Sequence, residues 1–177
     1  MNLSRVLEEI TSCLNKGVAD KNSQFRYFVL STVCKNNKPN SRIVIIRDFE
    51  NYKLTFYSSY NSKKIGELNK NKNVNLVFYD EINKIQLRVK GAAIVKRKVK
   101  KIWDSLNQWS KREYINNTTK NNCKDKSSFN IEEGYKNFCC VIIKIQEIEW
   151  LCLSRNGHKR AKFNFKKKDV IKKWLEP

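Results

Sequence analysis

Basic and hydroxyl-bearing side chains are concentrated in one short segment that starts at Arg42. The segment reads R-I-V-I-I-R, continues after a polar turn as L-T-F-Y-S-S-Y-N, and ends as S-K-K-I-G-E-L. The pattern predicts two strands that bring Arg42, Tyr57 and Ser58 to the start of a short helix, whose first turn carries Lys63 and Lys64. Two lysines at the positive end of a helix are each unfavourable by roughly 0.3–1 kcal/mol unless an anion offsets them. The segment therefore favours a phosphate-type anion site, and a solvated basic helix start is the alternative.

The elements around this segment are predicted from the spacing of apolar residues. A length of 177 residues with 40% hydrophobic content suits one domain over residues 1–177. Helices are expected over 3–16, 63–69, 97–114 and 169–175. Strands are expected over 24–34, 42–47, 54–59, 74–79, 85–95, 138–153 and 158–165, with a bulge near Gln146 and a turn at Asn156-Gly157. The polar segment 115–130 has the composition of a mobile surface loop. The fold class predicted is mainly β (α+β): a six-stranded antiparallel β-barrel with flanking helices.

The net charge of +20 is a weak indicator of a partner. Such a charge is typical of proteins that bind nucleic acid or an anionic membrane surface. However, 28 of the 37 basic residues are lysine and 22 further residues are asparagine, which codon drift in an A/T-rich genome would also produce. We therefore expect no specific nucleic-acid partner, and a basic nucleic-acid binder is kept as an alternative.

Metal binding, export and membrane insertion are not expected from the sequence. The six cysteines include no C-x-x-C pair, and His158 is the one histidine, so the cysteines are interpreted as small buried hydrophobic residues. No apolar stretch reaches the length that spans a bilayer, and acidic residues stand near the N-terminus where a signal peptide would be apolar. A cytoplasmic location is expected.

The motifs together resemble a known family. R-I-V-I-I-R, L-T-F-Y-S-S, S-K-K-x-x-E-L and a later I-Q-L-R-V-K-G are similar in type and spacing to those of the pyridoxamine 5'-phosphate oxidase-like FMN-binding split barrels. The resemblance is greatest to a subgroup, frequent in cyanobacteria and plants, that ends in G-H-[RK]-R-x-[RK]-F, here Gly157 to Phe163. It implies a split β-barrel, FMN as cofactor, and a homodimer with FMN at the interface.

The resemblance also implies roles for individual residues. Arg42 and Lys64 would hold the FMN phosphate, Gln86 would lie near the isoalloxazine ring, and Lys162 would come from the second subunit. The implied cofactor-binding set is Arg42, Ile43, Val44, Ile45, Arg47, Tyr57, Ser58, Lys63, Lys64, Gln86 and Lys162. The implied substrate set is Arg47, His158 and Arg160. Because Arg42 and Arg47 are five residues apart on an expected strand, they should face opposite sides and serve different ends of the ligand.

The C-terminal motif departs from that of the true oxidases. Leu151 stands where those enzymes have a tryptophan against the flavin, with Trp150 one position away, and His158 replaces an arginine that contacts the vitamin phosphate. The leading hypothesis is thus an FMN-dependent oxidoreductase acting on an unidentified small substrate, with no side chain assigned as catalytic. The alternatives are pyridoxamine 5'-phosphate oxidase proper and a non-enzymatic flavin or haem-binding module with His158 as iron ligand.

Overall fold

The chain folds around a long antiparallel sheet with helices at its margins. The computed structural model describes residues 2–34, 36–115, 131–166 and 169–177. Within these residues the helices are α1 (Leu3–Ala19), α2 (Lys63–Lys70), α3 (Lys100–Ser105), α4 (Gln108–Arg112) and α5 (Ile131–Asn137). The strands are β1 (Tyr27–Val33), β2 (Pro39–Ile45), β3 (Asp48–Glu50), β4 (Lys53–Ser59), β5 (Asn73–Asp80), β6 (Ile85–Arg97), β7 (Phe138–Cys152), β8 (Lys159–Phe165) and β9 (Val170–Leu175).

Strand β7 connects the two parts of the sheet. The strand order is β2-β1-β5-β6-β7-β4-β3, with β8 paired to β7 and β9 paired to β8. The first half of β7 pairs with β4 and its second half pairs with β8. Between the two halves lies one extra residue, Gln146, at a bulge opposite Lys90 and Gly91, as predicted. A side chain at position 91 would put its Cβ 2.5 Å from the carbonyl oxygen of Lys144, so the bulge requires glycine there.

The hydrophobic core lies on the inner face of the sheet and beneath α1. Alternate residues of the central strands point inward, as the strand period of two requires. The buried inward-facing side chains include Phe28, Leu30, Leu76, Phe78, Ile85, Leu87, Val89, Ile148, Trp150, Ala161 and Phe163. The opposite face, here called the outer face, is exposed over much of its area. Ile85, Leu87 and Val89 alternate with polar residues in the sequence, which predicts that they point inward, and their burial confirms it.

The C-terminal segment forms a strand, and the helix predicted over 169–175 is wrong. Residues Val170–Leu175 form β9, which pairs with β8 over its whole length from Phe165 to Arg160. V-I-K-K-W-L has apolar residues at spacings that suit either element, and the free edge of β8 supplies the backbone hydrogen bonds that favour a strand. Together with β3, which lies in a predicted turn, β9 extends the seven predicted strand segments to nine strands in the described residues.

The helix predicted over 97–114 is also wrong, because the chain forms two shorter helices there. Leu106 has extended backbone angles, and the side chain of Asn107 accepts a hydrogen bond of 2.8 Å from the backbone N–H of Ser110. This cap starts α4 and ends the continuity with α3. As a result Trp103 is buried, whereas Trp109 is 76% exposed.

Two further expectations have different outcomes. The helix predicted over 3–16 continues through Gly17 and ends at Ala19. Gly17 is required for a close approach of two backbone segments, since a Cβ there would lie 2.4 Å from the carbonyl oxygen of Phe25. Of the loop predicted over 115–130, Ile115 is buried and residues 116–130 lie outside the described part of the chain.

None of the helices in the described part of the chain is long and apolar enough to cross a membrane. Nor does any group of three or more His, Cys, Asp and Glu side chains in that part of the chain lie together in a way that could hold a metal ion. Of the cysteines, which the sequence predicts to be buried, Cys139 and Cys140 are buried free thiols. Cys13, Cys34 and Cys152 are free thiols of intermediate exposure, and Cys123 lies outside the described residues.

Candidate functional site

Arg42 lies at one end of the barrel and is held there by β1 and α2. It sits opposite Leu30 in the β1–β2 ladder, so its side chain reaches the inner face beside Thr32. One guanidinium nitrogen of Arg42 lies 2.9 Å from a carboxylate oxygen of Glu67, and another donates to the Thr32 hydroxyl. Asn40, on the same strand as Arg42, donates to the second Glu67 oxygen at 2.9 Å. The Arg42 guanidinium is thus held by Glu67 and Thr32, and the Glu67 carboxylate is held in turn by Asn40.

Glu67 is a partly buried carboxylate that the fold keeps ionised. Burial raises its pKa, but hydrogen bonds from Thr32, Asn40 and Arg42, together with the Arg42 charge, outweigh burial and leave the pKa below its usual value. The Glu67 side chain is only 11% exposed and that of Arg42 is 20% exposed. An ion pair with so little exposure is screened much less than a surface pair, so it holds Arg42 in place.

Lys64 lies beside this pair and donates to a hydroxyl group. Its ammonium is 3.2 Å from Ser58 Oγ, which in turn lies 3.1 Å from Ser62 Oγ. Among the described residues, no carboxylate forms an ion pair with Lys64. Burial, and then the neighbouring charge of Arg42, lower the pKa of Lys64. Two cations packed together in a half-buried place indicate that an anion is needed to complete the site.

The start of α2 supplies the remaining donors of this site. Ser62 caps the helix without a side-chain hydrogen bond to its backbone, and the Ile65 N–H donates to the Ser62 carbonyl at 3.0 Å. The N–H groups of Lys63 and Lys64 are thus the ones left for a ligand. We call Arg42, Lys63, Lys64 and Glu67 the α2 cluster. Its three cations and one carboxylate leave a formal excess of two positive charges. Charge, hydroxyls and helix start therefore fit a phosphate monoester such as that of FMN.

Arg47 occupies a different environment from Arg42. Strand β2 ends at Ile45, two residues earlier than predicted, and Arg47 lies beyond it with its backbone N–H bonded to the Thr55 carbonyl at 2.8 Å. The Arg47 guanidinium lies 5.6 Å from the ring centre of Tyr57. Burial raises the pKa of Tyr57, whose ring packs edge-on against Phe138. Arg42 and Arg47 therefore have different partners, Glu67 and the Tyr57 ring. Because Arg47 lies beyond the end of β2, the alternation of that strand does not determine which side it faces.

The outer side of β2 is apolar and exposed. Ile43 is 69% exposed and lies opposite Val29, and Ile45 is half-buried on the same side. Val44 faces the other way and packs against the core. Tyr27 and other exposed apolar residues continue this surface across β1 and β5. They line a groove of about 520 Å³ formed by Tyr27, Val29, Ile43, Val77 and Tyr79, together with residues 21–24. The exposed Lys63 side chain belongs to the α2 cluster and does not line this groove.

The remaining predicted site residues lie on other elements. Gln86 is on β6, and Arg160 and Lys162 are on β8. His158 is in the exposed turn before β8, where its Nδ1 accepts the Ser154 backbone N–H at 3.2 Å. Within the described part of the chain, none of these four residues forms a hydrogen bond or ion pair with the α2 cluster.

The cations of β6 and β8 are matched by carboxylates on β7. Glu149 binds both Arg88, at 3.1 Å, and Arg160, at 2.9 Å. Two residues earlier on β7 and on the same face, Glu147 binds Lys90 at 3.0 Å and Lys162 at 2.8 Å. These six residues face outward, and we call them the outer-face row: Arg88, Lys90, Glu147, Glu149, Arg160 and Lys162.

Several residues of these sites were missed by the sequence analysis. Glu67 was recognised as part of the motif S-K-K-x-x-E-L but was given no role, although its position one turn after Lys63 and Lys64 was the available signal. Thr32 was also missed, whereas Ser62 is confirmed as the cap of α2, one of the two residues, Asn61 and Ser62, that the sequence predicts for it. Glu147 and Glu149 alternate on a predicted strand, which indicates one face, but only the pairing of β7 with β6 and β8 shows what they bind.

Comparison with known proteins identifies the family. Residues 7–97, which are just over half of the chain, match the model of the pyridoxamine 5'-phosphate oxidase FMN-binding domain. The chain belongs to this family. The matched region contains the whole α2 cluster, strand β2 and Gln86. Because FMN binding defines this oxidase-like family, FMN is confirmed as the cofactor predicted from the sequence, and the family's ligand is a small molecule.

Named relatives match a shorter stretch. The chloroplastic pyridoxine/pyridoxamine 5'-phosphate oxidase 1 of Arabidopsis thaliana is 39% identical over 62 residues, which are 35% of this chain and 12% of that protein. The pyridoxine/pyridoxamine 5'-phosphate oxidase of Herminiimonas arsenicoxydans is also 39% identical over 62 residues, 29% of its length. The alignments thus span less than a third of either relative.

Two solved structures share the fold over nearly the whole chain. The pyridoxamine 5'-phosphate oxidase-related FMN-binding protein of Nostoc punctiforme superposes with a TM-score of 0.76 at 17% identity, covering 96% of both chains. PhzG from Burkholderia lata, in complex with tetrahydrophenazine-1-carboxylic acid, gives a TM-score of 0.72 at 14% identity, covering 98% of this chain and 91% of its own. At these identities the likeness concerns the fold, and it confirms the mainly β split barrel.

Proposed function

We propose that residues 1–177 form a single-domain FMN-dependent oxidoreductase that acts on a small substrate. The observation that carries the proposal is the α2 cluster, in which three cations, Arg42, Lys63 and Lys64, are accompanied by one carboxylate, Glu67. The excess of two positive charges matches a phosphate monoester near neutral pH. The like charges of such a cluster repel one another, and a bound anion removes this unfavourable electrostatic free energy.

The α2 cluster would hold the phosphate through several kinds of donor. Lys64 and Arg42 supply charge, Ser58 and the first turn of α2 supply neutral donors, and the exposed Lys63 adds charge from the solvent side. Glu67 would keep the guanidinium of Arg42 oriented without cancelling the charge of Lys64. This division of roles explains why a carboxylate is compatible with an anion site.

Strand β2 would position the flavin ring, and a second subunit would complete the site. Ile43 and Ile45 offer an apolar strand surface that continues into the exposed groove at Tyr27 and Tyr79. Such a surface suits both a planar ring and a homodimer contact. Lys162, which pairs with Glu147 and makes no contact with the α2 cluster in its own chain, would come from the partner, and Gln86 would lie near the ring.

The substrate side of the site would be formed by cations. Bound FMN supplies the redox chemistry, exchanging two electrons and a proton with the substrate at its ring. Arg47, held over the Tyr57 ring, together with His158 and Arg160 of the partner subunit's equivalent hairpin, would orient an anionic or polar substrate. No side chain is assigned a covalent role. We expect a cytoplasmic protein without a specific nucleic-acid partner.

The visible spectrum of the purified protein tests the cofactor and the site together. We expect flavin absorption bands, either as purified or after adding FMN, with a stoichiometry of one FMN per chain in a dimer measured by light scattering. Bleaching of these bands by a reductant and their return in air would support redox function. A colourless protein that gains no bands with excess FMN would overturn the proposal.

Pyridoxamine 5'-phosphate oxidase activity is the second candidate. It is favoured by the names of the relatives that share 39% identity over 62 residues. It is opposed by Leu151 and His158, which differ from the oxidase pattern. Release of hydrogen peroxide after adding pyridoxine 5'-phosphate to the FMN-loaded protein would support this candidate, and its absence at saturating FMN would exclude it.

A further inference from the structure

The chain between β4 and α2 shapes one side of the α2 cluster. We call residues 58–62 the β4–α2 segment. It carries the Ser58 hydroxyl, which accepts a hydrogen bond from Lys64 at 3.2 Å. It ends at Ser62, whose backbone N–H donates to the Ser59 carbonyl at 3.1 Å. The contacts that hold this segment in place therefore also set the geometry of the proposed phosphate site.

One residue, Asn137, holds three consecutive residues of this segment. Its side-chain oxygen accepts the Ser59 hydroxyl at 3.0 Å and the Asn61 backbone N–H at 3.3 Å. Its backbone carbonyl accepts the Tyr60 N–H at 2.6 Å. Asn137 is the last residue of α5 and lies 78 positions after Ser59, so these contacts fix the segment to a distant part of the chain.

The other end of the Asn137 amide is fixed in its turn. Its Nδ2 group donates to the Tyr114 carbonyl at 2.8 Å, and the residue is buried, with 7% exposure. The Tyr114 ring packs edge-on against Phe138 and Trp103, at ring-centre distances of 4.9 and 6.0 Å. These packed rings give the amide a rigid support. Because the side chain must both accept and donate here, neither an aliphatic group nor a carboxylate can replace it.

Two further contacts hold the β4–α2 segment. The Cys139 thiol donates to the Ser58 carbonyl at 3.2 Å. The Arg97 guanidinium lies 3.8 Å from the centre of the Tyr60 ring. Together with the three hydrogen bonds to Asn137, these contacts cover four consecutive residues of the segment. The segment is therefore a preorganised part of the site and not a free loop.

Asn137 acts on the site through this segment and not by contact with the ligand. In the described part of the chain, its side chain forms hydrogen bonds with the β4–α2 segment and Tyr114 but not with Arg42 or Lys64. It also lies outside residues 7–97, which match the family model. A segment that is not held must be ordered when its ligand binds, and this ordering costs affinity. The cost falls on the part of the ligand that the segment contacts, here the phosphate.

We propose that Asn137 is a positioning residue for the FMN phosphate. It holds the β4–α2 segment in the geometry that receives the phosphate, and so it sets the preference for FMN over riboflavin, the same flavin without a phosphate. This role rests on the proposed function, since it requires that the α2 cluster binds the phosphate of FMN.

Titration of the full chain with FMN and with riboflavin, followed by flavin fluorescence, tests this role. The wild type should bind FMN more tightly than riboflavin. Asn137→Ala should raise the Kd for FMN about tenfold and that for riboflavin less than about threefold, because two donors of the segment lose their acceptor. General destabilisation would weaken both flavins alike, so the ratio of the two Kd values is the quantity to measure.

Tyr135→Leu is the matched control. Tyr135 lies on the same helix and packs against Trp103 at a ring-centre distance of 5.8 Å, without a hydrogen bond to the β4–α2 segment in the described structure. This variant should unfold at lower urea concentration, but its ratio of Kd values for riboflavin and FMN should equal that of the wild type.

The outcomes separate this role from the proposed function. A wild type that binds no FMN would overturn both. If the wild type prefers FMN but Asn137→Ala keeps this preference, or Tyr135→Leu loses it equally, the role of Asn137 alone is overturned. If Asn137→Ala does not fold, Ser59→Ala removes one of the same hydrogen bonds and should lower the preference about threefold. An unchanged preference in Ser59→Ala would then refute the role.

Discussion

Two cationic regions of this molecule carry the same excess of positive charge but hold it in different ways. In the outer-face row, each of the four cations contacts one of two carboxylates, and each carboxylate is shared by two cations. In the α2 cluster, Glu67 contacts Arg42, while Lys64 contacts a hydroxyl and lies beside a second cation. The number of charges is thus a poor guide to an anion site.

What separates the two regions is burial without a counter-charge. The pKa of Lys64 is lowered by burial and by Arg42, which means that the folded protein disfavours its charge until an anion arrives. In the row, Arg88 is 47% and Lys90 60% exposed, so water screens these two cations. The less exposed Arg160 and Lys162 each contact a carboxylate. Substitutions in the two regions should therefore differ greatly in effect.

Glu67→Gln should give the largest effect on stability. Removing the carboxylate leaves Arg42 beside Lys64 without its partner, and breaking such a buried pair costs about 3 kcal/mol of unfolding free energy. Because the folded pKa of Glu67 lies below its usual 4.5, its contribution is present at neutral pH and is lost as the pH falls below that value. Urea unfolding of the FMN-free protein at pH 7 and in acid measures both.

The control for this variant is Glu81→Gln, in an exposed turn. It should change the unfolding free energy by less than about 0.5 kcal/mol. The difference between wild type and Glu67→Gln should narrow as the pH falls through the folded pKa. A Glu67→Gln protein as stable as wild type at pH 7 would show that this carboxylate does not hold the cluster together.

Lys64→Glu should give the largest effect on FMN binding. The change reverses the charge next to the phosphate and should raise the Kd by about a hundredfold or more, which is about 2.7 kcal/mol. Quenching of FMN fluorescence on titration measures it, and circular dichroism checks the fold. Lys70→Glu, at the exposed far end of α2, is the matched control and should change the Kd less than about threefold. Equal affinities of the two variants would remove Lys64 from the phosphate site.

Lys162→Met should have an intermediate effect. The proposed role of Lys162 in the partner's site predicts a rise in the Kd for FMN of about three- to tenfold, smaller than for Lys64 because Glu147 already pairs with it. Lys173→Met, on the neighbouring exposed position of β9, serves as control. The same titration measures both variants, and no difference between them would argue against a flavin contact through the row.

Arg88→Gln should have the smallest effect. Its side chain is nearly half exposed, and Glu149 keeps Arg160 as a second partner. The expected loss in unfolding free energy is below about 0.5 kcal/mol, with the Kd for FMN unchanged. Urea unfolding measures the first quantity. A loss near that of Glu67→Gln would mean that the row and the cluster are not different in kind.

The local part of the α2 cluster was predictable from the sequence. Ser58, Lys63 and Lys64 come from β4 and the helix that follows it, so their spacing in the chain almost fixes their spacing in space. Arg42 on β2 reaches them only when the sheet curls, because β1, β5, β6 and β7 lie between β2 and β4 in the strand order. The strands with clear alternation, β6 and β8, were predicted for the same reason. In these segments the hydrophobic period and the turn residues agree with the final structure.

Features that depend on distant pairing were not predictable. Glu67 gains its role only when β1 pairs with β2 and brings Thr32 to Asn40. The strand β9 exists because β8 has a free edge, and its own sequence fits a helix as well. The position of Arg42 relative to Lys162 required the strand order, which no single segment encodes.

Strand β7 pairs with β4 along its first half and with β8 along its second half, and this pairing has a consequence for how the chain folds as it is synthesised. β7 forms hydrogen bonds with β4, β6 and β8, and it begins at Phe138, after most of the chain has been made. Until then, β4 and β6 each expose an unpaired edge of the kind that pairs with other chains. Such long-range pairing is slow. Assembly of the sheet should thus be a late event, and chains interrupted before Cys152 should be the ones that aggregate.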